Sequence, residues 1–192
     1  MSKLIQLGRI PRSPEDRQLL ISEQVAQEER IANMGFDRVS MMIVEYLISE
    51  KGYLKKDIET EKEFHVELND ASFNVKADIL VKVDGNRFLI VKCAMSSPES
   101  WERYTVALCR GACSETVPFC LVTDGEFARL INVHTGEIVC EGFKDLPSKE
   151  EAVRLVDEIS KKPFSCKTLE KEKRILFAFS GIGCPTEEEK SS

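Results

Sequence analysis

The sequence predicts an α/β (α+β) fold, a mixed sheet with helices packed on it. Three observations carry this. Residues 73–83 alternate apolar and polar side chains and lead through Asp84-Gly85-Asn86 into a second strand-like stretch. Phe119 to Val122 is short and wholly apolar, the pattern of a strand buried on both faces. Stretches with helical spacing precede, separate and follow these strands.

The 192 residues suit one domain with terminal extensions. The expected parts are an N-terminal helical extension over 1–35, a core over 36–142, and a C-terminal helical extension with a loose tail over 143–192. Hydrophobic content of 42% and charged content of 31% read as a soluble globular protein. No apolar run reaches the ~20 residues a bilayer span needs, and the start, Met1-Ser-Lys-Leu-Ile-Gln-Leu, lacks a signal-peptide pattern. A cytoplasmic location is expected. The net charge of −6 argues against a protein that clings to DNA by itself, because phosphate neutralisation supplies much of that affinity.

Ser13-Pro14-Glu15-Asp16 has the form of a helix start: a Ser N-cap, Pro in the first turn, then acids. A helix is expected to about Asn33, broken by Gly35. A second is expected from Phe36 to Lys51, with Phe36, Val39, Ile43, Tyr46 and Leu47 on one face and Gly52 at its end. Strands are expected over 58–68, 73–83 and 88–95. In the second, Phe73, Val75, Ala77, Ile79, Val81 and Val83 face one way; Asn74, Lys76, Asp78 and Lys82 face the other, with Leu80 among them. Residues 98–112 read as a helix, 127–133 and 137–140 as a hairpin around His134-Thr135-Gly136. Ser148-Lys149-Glu150-Glu151 fits a capping box that opens a helix to about Ser160. A last helix is expected over 169–179, and a loose tail from Pro185.

The turn length sets which side chains meet. A three-residue loop, Asp84-Gly85-Asn86, pairs Val83 with Arg87 and puts Asp78 opposite Lys92, with Ala94 one step along the same face. A two-residue Asp84-Gly85 loop puts Lys92 opposite Ala77 on the other face. The longer loop is preferred because it hides Leu89, Val91, Cys93 and Met95 together with Val75, Ala77, Ile79 and Val81.

Lys76-Ala77-Asp78-Ile79-Leu80-Val81, the Asp84-Gly85 turn and Phe88-Leu89-Ile90-Val91-Lys92-Cys93-Ala94 together resemble the metal-binding hairpin of the PD-(D/E)xK nuclease superfamily. The resemblance is closest to the N-terminal domain of type I restriction enzyme R subunits. Glu50-Lys51-Gly52-Tyr53, the stretch Val117 to Gly125, and His134-Thr135-Gly136-Glu137 are similar to further pieces of that domain, so the resemblance covers roughly 36–142. It implies a restriction-endonuclease-like mixed sheet flanked by helices. It also implies a site: an Asp at the Asp78 position, a second carboxylate at the Lys92 position and a lysine at the Ala94 position. Two carboxylates hold Mg²⁺ through oxygen, and the metal polarises phosphate and activates water. This sequence keeps Asp78. Lys92 repels a divalent cation, and Ala94 supplies no charge. Tyr104 aligns with a helical Gln common in the family.

The site therefore reads as vestigial: Asp78, Lys92 and Ala94, with Asp78 and Lys92 forming an ion pair that is of little energetic weight if exposed. The competing reading is a rearranged site. There Glu61, Glu63 or Glu67 joins Asp78 as a metal ligand, Lys76, Lys82 or Lys92 supplies the cation, and Mg²⁺ is the cofactor. His65 and His134 read as ordinary strand and turn residues, Trp101 and Tyr104 as packing, and Lys167 to Lys173 as a solvated helix face. Seven cysteines in a cytosolic chain read as small buried thiols. Cys109 and Cys113 share a helix face and, with Cys93, Cys120, Cys166 or Cys184, offer a third reading as a zinc or iron–sulfur site, although no tight CxxC spacing is present. The first function reading is a catalytically inactive nuclease fold that acts as a binding or scaffold module, with DNA or protein as partner, no membrane, and no small-molecule substrate. The second is a Mg²⁺-dependent DNA endonuclease.

Overall fold

The computed structural model describes residues 13–69, 71–94, 97–113, 115–158 and 163–180. The chain forms two compact units, 1–38 and 39–192. The described part of the first unit is helical. The helix involved, α1 (Pro14–Ser49), is continuous through Gly35, where the sequence led us to expect a break. A single glycine in a helix costs about 1 kcal/mol relative to alanine, which good helix formers on either side overcome. Termination comes at Gly52, whose φ of +73° turns the chain so that the Tyr53 amide bonds the Leu47 carbonyl.

The second unit is built on one six-stranded sheet: β1 (Ile58–Glu67), β2 (Ser72–Val83), β3 (Asn86–Cys93), β4 (Phe119–Thr123), β5 (Ala128–Asn132) and β6 (Ile138–Glu141), side by side in chain order. All neighbours are antiparallel except β3 and β4, which are parallel. A parallel pair needs a crossover, supplied by α2 (Glu99–Gly111). Helices α3 (Lys149–Glu158) and α4 (Cys166–Ser180) follow, so this is an α/β fold with a mixed sheet. The capping box at α3 is reciprocal: the Ser148 amide donates to the Glu151 carboxylate at 2.8 Å and the Glu151 amide to Ser148 Oγ at 3.3 Å. Helix α4 starts three residues earlier than its expected Leu169. Met95, Cys184 and the tail from Pro185 lie outside the described residues.

The β2–β3 hairpin corrects the expected turn and keeps the expected register. Val83 pairs with Asn86, so the loop is Asp84-Gly85 alone. Both residues have positive φ, +49° and +81°, the requirement of a type I′ turn. Lys82 then pairs with Arg87, but Val81 pairs with Leu89, so Phe88 is an extra residue on β3. This bulge shifts the pairing by one. Ile79 faces Val91, and Asp78 lies abreast of Lys92 after all. The turn chemistry and the demand to bury Leu89, Val91 and Cys93 are both met.

Helices cover both faces of the sheet. On one, Leu80, Ile90, Cys120 and Ile131 join Leu108 of α2 and Leu176 of α4 in a single buried cluster. The alternate strand residues Ile79, Val81, Leu89, Val91, Leu121 and Leu130 are also buried, and α3 lies against β2 and β3. Ile43 and Leu47 of α1 are buried as well. Because both faces are covered, burial in β2 does not alternate as expected: every residue from Ala77 to Val81 is buried, Asp78 included.

Helices α2 and α4 approach closely at Gly111. A Cβ there would lie 3.2 Å from the Glu172 Cβ and 3.3 Å from the Lys173 amide nitrogen. Gly111→Ala must push α4 outward, and a loss of about 1–3 kcal/mol is expected from overpacking. Urea denaturation checks this; an unchanged midpoint would mean that the helices separate freely.

Candidate functional site

Asp78 sits in the middle of β2 with 3% of its surface exposed. Its partner is Lys92 of β3, whose Nζ lies 3.0 Å from one carboxylate oxygen and 3.2 Å from the other. The Cys93 amide donates to Asp78 at 2.7 Å. The ion pair is thus buried rather than exposed, and the expected low weight of a surface pair does not apply. Burial pushes the Asp78 carboxyl above the usual carboxylate range, against the opposing pull of the Lys92 ammonium and the Cys93 amide. The Lys92 ammonium also lies 5.0 Å from the centre of the Trp101 ring, in the first turn of α2. Ala94 is buried, and its amide ties β3 to the Thr123 carbonyl at 2.7 Å.

Trp101 stands edge-on to Tyr104, and both rings meet Phe179 of α4. Tyr104 is buried, which raises its hydroxyl to about 12. These aromatics are packing residues. Thr105 Oγ1 returns to the Trp101 carbonyl at 2.7 Å.

The acids of β1 are spread out. Thr60 pairs with Ile79 and Lys62 with Ala77, so Glu61 stands abreast of Asp78. Glu61 has a φ of +55°, unusual for a residue with a side chain, and its carboxylate pairs with Lys76. Glu63 and Glu67 are exposed, and Glu67 lies 3.9 Å from His65. Lys82 pairs with Glu59, near the start of β1. Among the described residues, no three His, Cys, Asp or Glu side chains converge as a metal site. The six described cysteines are free. Cys113 lies past the end of α2 rather than on its face. Burial pushes Cys93 to about 12, Cys113 to about 11, and Cys109 upward beside Cys120.

Two charged clusters were missed. Lys92, Val122, Arg129 and Glu141 are abreast on four successive strands. Arg129 bonds Glu102 of α2 and lies 2.7 Å from Glu141, with its guanidinium over the Phe127 ring. The second cluster is at Glu172, which is 3% exposed although it lies in the supposedly solvated run Lys167 to Lys173. Arg110 reaches it at 3.0 Å and Arg103 at 2.5 Å. Arg110 also donates to the Val133 carbonyl at 2.7 Å and stacks on Phe164, which stacks on His134. The available signal was spacing: Glu172 falls between Leu169 and Leu176 on one helix face.

A family model for the N terminus of type I restriction enzyme R proteins matches residues 37–147. The chain belongs to that family. The match covers more than half the chain and contains the whole β2–β3 hairpin. Membership in the type I restriction R N-terminal family makes this a restriction-related, nuclease-like domain. Comparison with curated proteins gave no match, and neither did comparison with solved structures. No described helix is long and apolar enough to cross a membrane.

Proposed function

We propose that this type I restriction R N-terminal domain is catalytically inactive and serves as a binding or scaffold module in DNA restriction or nucleic-acid metabolism. One observation carries the reading: the Lys92 ammonium lies within 3.2 Å of both oxygens of Asp78. A divalent cation needs oxygen ligands and room at that position. The donor set there does not suit one. It holds a single carboxylate, a resident cation and a backbone N–H donor, with buried Ala94 in place of a lysine. The domain is read as a core over 36–142 with extensions over 1–35 and 143–192.

The partner is better read as protein than as naked DNA. The cations around the site face carboxylates: Lys76 with Glu61, Lys82 with Glu59, Lys92 with Asp78, and Arg129 with Glu102 and Glu141. Such cations contribute little phosphate neutralisation. Free thiols at the described cysteines suit a reducing, cytoplasmic compartment.

Glu61 favours the second reading, a Mg²⁺-dependent endonuclease with a rearranged site, because it stands abreast of Asp78 with strained backbone. Its engagement with Lys76 opposes that reading. The test is incubation with single- and double-stranded DNA in Mg²⁺ or Mn²⁺. No cleavage above a metal-free control is expected. Cleavage that disappears in Asp78→Ala would establish the endonuclease instead.

A further inference from the structure

We infer that the first turn of α2 is a lid over the Asp78–Lys92 pair, and that Arg129 is the clasp that holds it shut. The inference takes that pair as the centre of the site, as the proposal above does. Among the described residues, three sets of contacts hold the lid. The Lys92 ammonium lies against the face of the Trp101 ring. Trp101 is braced laterally by Tyr104 and Phe179. Glu102, the next residue of α2, is bonded by Arg129 of β5. Arg129 is anchored in turn by Glu141 of β6 and by the Phe127 ring, so the clasp is fixed to the sheet. It stands in the same row across the sheet as Lys92, two strands away.

The arrangement has a chemical consequence. Asp78 is shielded by position as well as by charge: its side chain is 4% exposed and that of Lys92 16%. An ion, phosphate or peptide carboxylate that engages this pair displaces Trp101 from Lys92, a movement that the Glu102–Arg129 bond opposes. Arg129 is therefore a positioning residue. Its bonds run to Glu102 and Glu141, and it acts on the accessibility of Asp78 and Lys92 through α2. Glu102 and Arg129 are each about one-fifth to one-quarter exposed, so the clasp can open without unfolding the core.

Carboxyl labelling of the full chain with a water-soluble carbodiimide and glycinamide, read by peptide mass spectrometry, tests this. Glu67, with 80% of its side chain exposed, is the open reference, and Glu172, with 4%, is the buried one. In the unaltered protein Asp78 is expected to label far more slowly than Glu67. In Arg129→Ala and, separately, in Glu102→Ala, its labelling is expected to rise about fivefold, the effect of losing one half-buried ion pair on a local opening equilibrium. Glu172 should stay protected in both. Labelling of Asp78 at the rate of Glu67 in the unaltered protein overturns the lid. So does continued protection of Asp78 in both variants, or a parallel rise at Glu172, which would signal loosening of the whole unit. DNA cleavage by the unaltered protein would overturn the preceding proposal and leave the labelling result standing.

Discussion

Glu172→Ala is expected to lower the unfolding free energy by about 3–5 kcal/mol, the range for removing one partner of a buried pair. The carboxylate is 3% exposed and joins Arg110, itself 16% exposed by side chain, to α4. Its loss leaves the Arg110 guanidinium inside with, among the described residues, the Val133 and His134 carbonyls and the Phe164 ring. Arg103 is half exposed and returns to water at little cost. For a unit of this size about 3 °C of melting temperature accompanies each kcal/mol, so a drop on the order of 10 °C is expected. Glu172→Gln should fall between the two, since an amide oxygen still accepts from Arg110 but carries no charge. Thermal and urea denaturation at pH 7 measure both. A loss under about 1 kcal/mol for the alanine variant would show that the pair merely balances its own desolvation.

Glu172 also shows what a sequence hides. The run Lys167 to Lys173 is charged at nearly every position, and composition alone reads it as solvated. What decides burial is the partner that the tertiary fold delivers, here Arg110 on a different helix. The same holds for Arg129, whose contacts come from α2 and β6. Local signals fared better. The capping box at Ser148 and the strands expected over 58–68 and 73–83 were readable from neighbours in the chain, whereas the expected alternation of burial in β2 was not met. The hairpin itself needed two levels. The Asp84-Gly85 turn is local chemistry, whereas the bulge at Phe88 follows from the need to bury a whole strand face. Turn chemistry alone would send Lys92 to the other face, and burial alone gives the right register with too long a turn; only their combination yields a two-residue turn with Asp78 beside Lys92. Family membership was legible in residues 76–94, whose order and spacing mark the hairpin. The lid was not, because Trp101 and Glu102 acquire their meaning from Lys92 and Arg129 across the fold.

Lys92→Met isolates the charge of the site, because methionine keeps the apolar stem against Trp101 and removes only the ammonium. Asp78 then remains buried, with the Cys93 amide still donating to it. A loss of about 3 kcal/mol is expected at neutral pH, the lower end for a broken buried pair given that Lys92 is partly exposed. The pH dependence is the sharper signature. Burial already holds the Asp78 carboxyl above its ordinary range, and without Lys92 it must rise further. A carboxyl whose folded value is raised contributes its stability fully below the unfolded value, and loses it as pH rises through the folded one. The deficit of Lys92→Met should therefore be small near pH 4 and grow toward pH 8. In Asp78→Asn with Lys92→Met the ion pair is gone from both sides, so most of the deficit should be recovered and its pH dependence should vanish. Urea denaturation of the unaltered protein, Lys92→Met, Asp78→Asn and the double variant at pH 4, 6 and 8 closes the cycle. A deficit that stays constant with pH, or that the double variant does not relieve, would mean that Lys92 acts through its packing on Trp101 and not as the cation that neutralises Asp78.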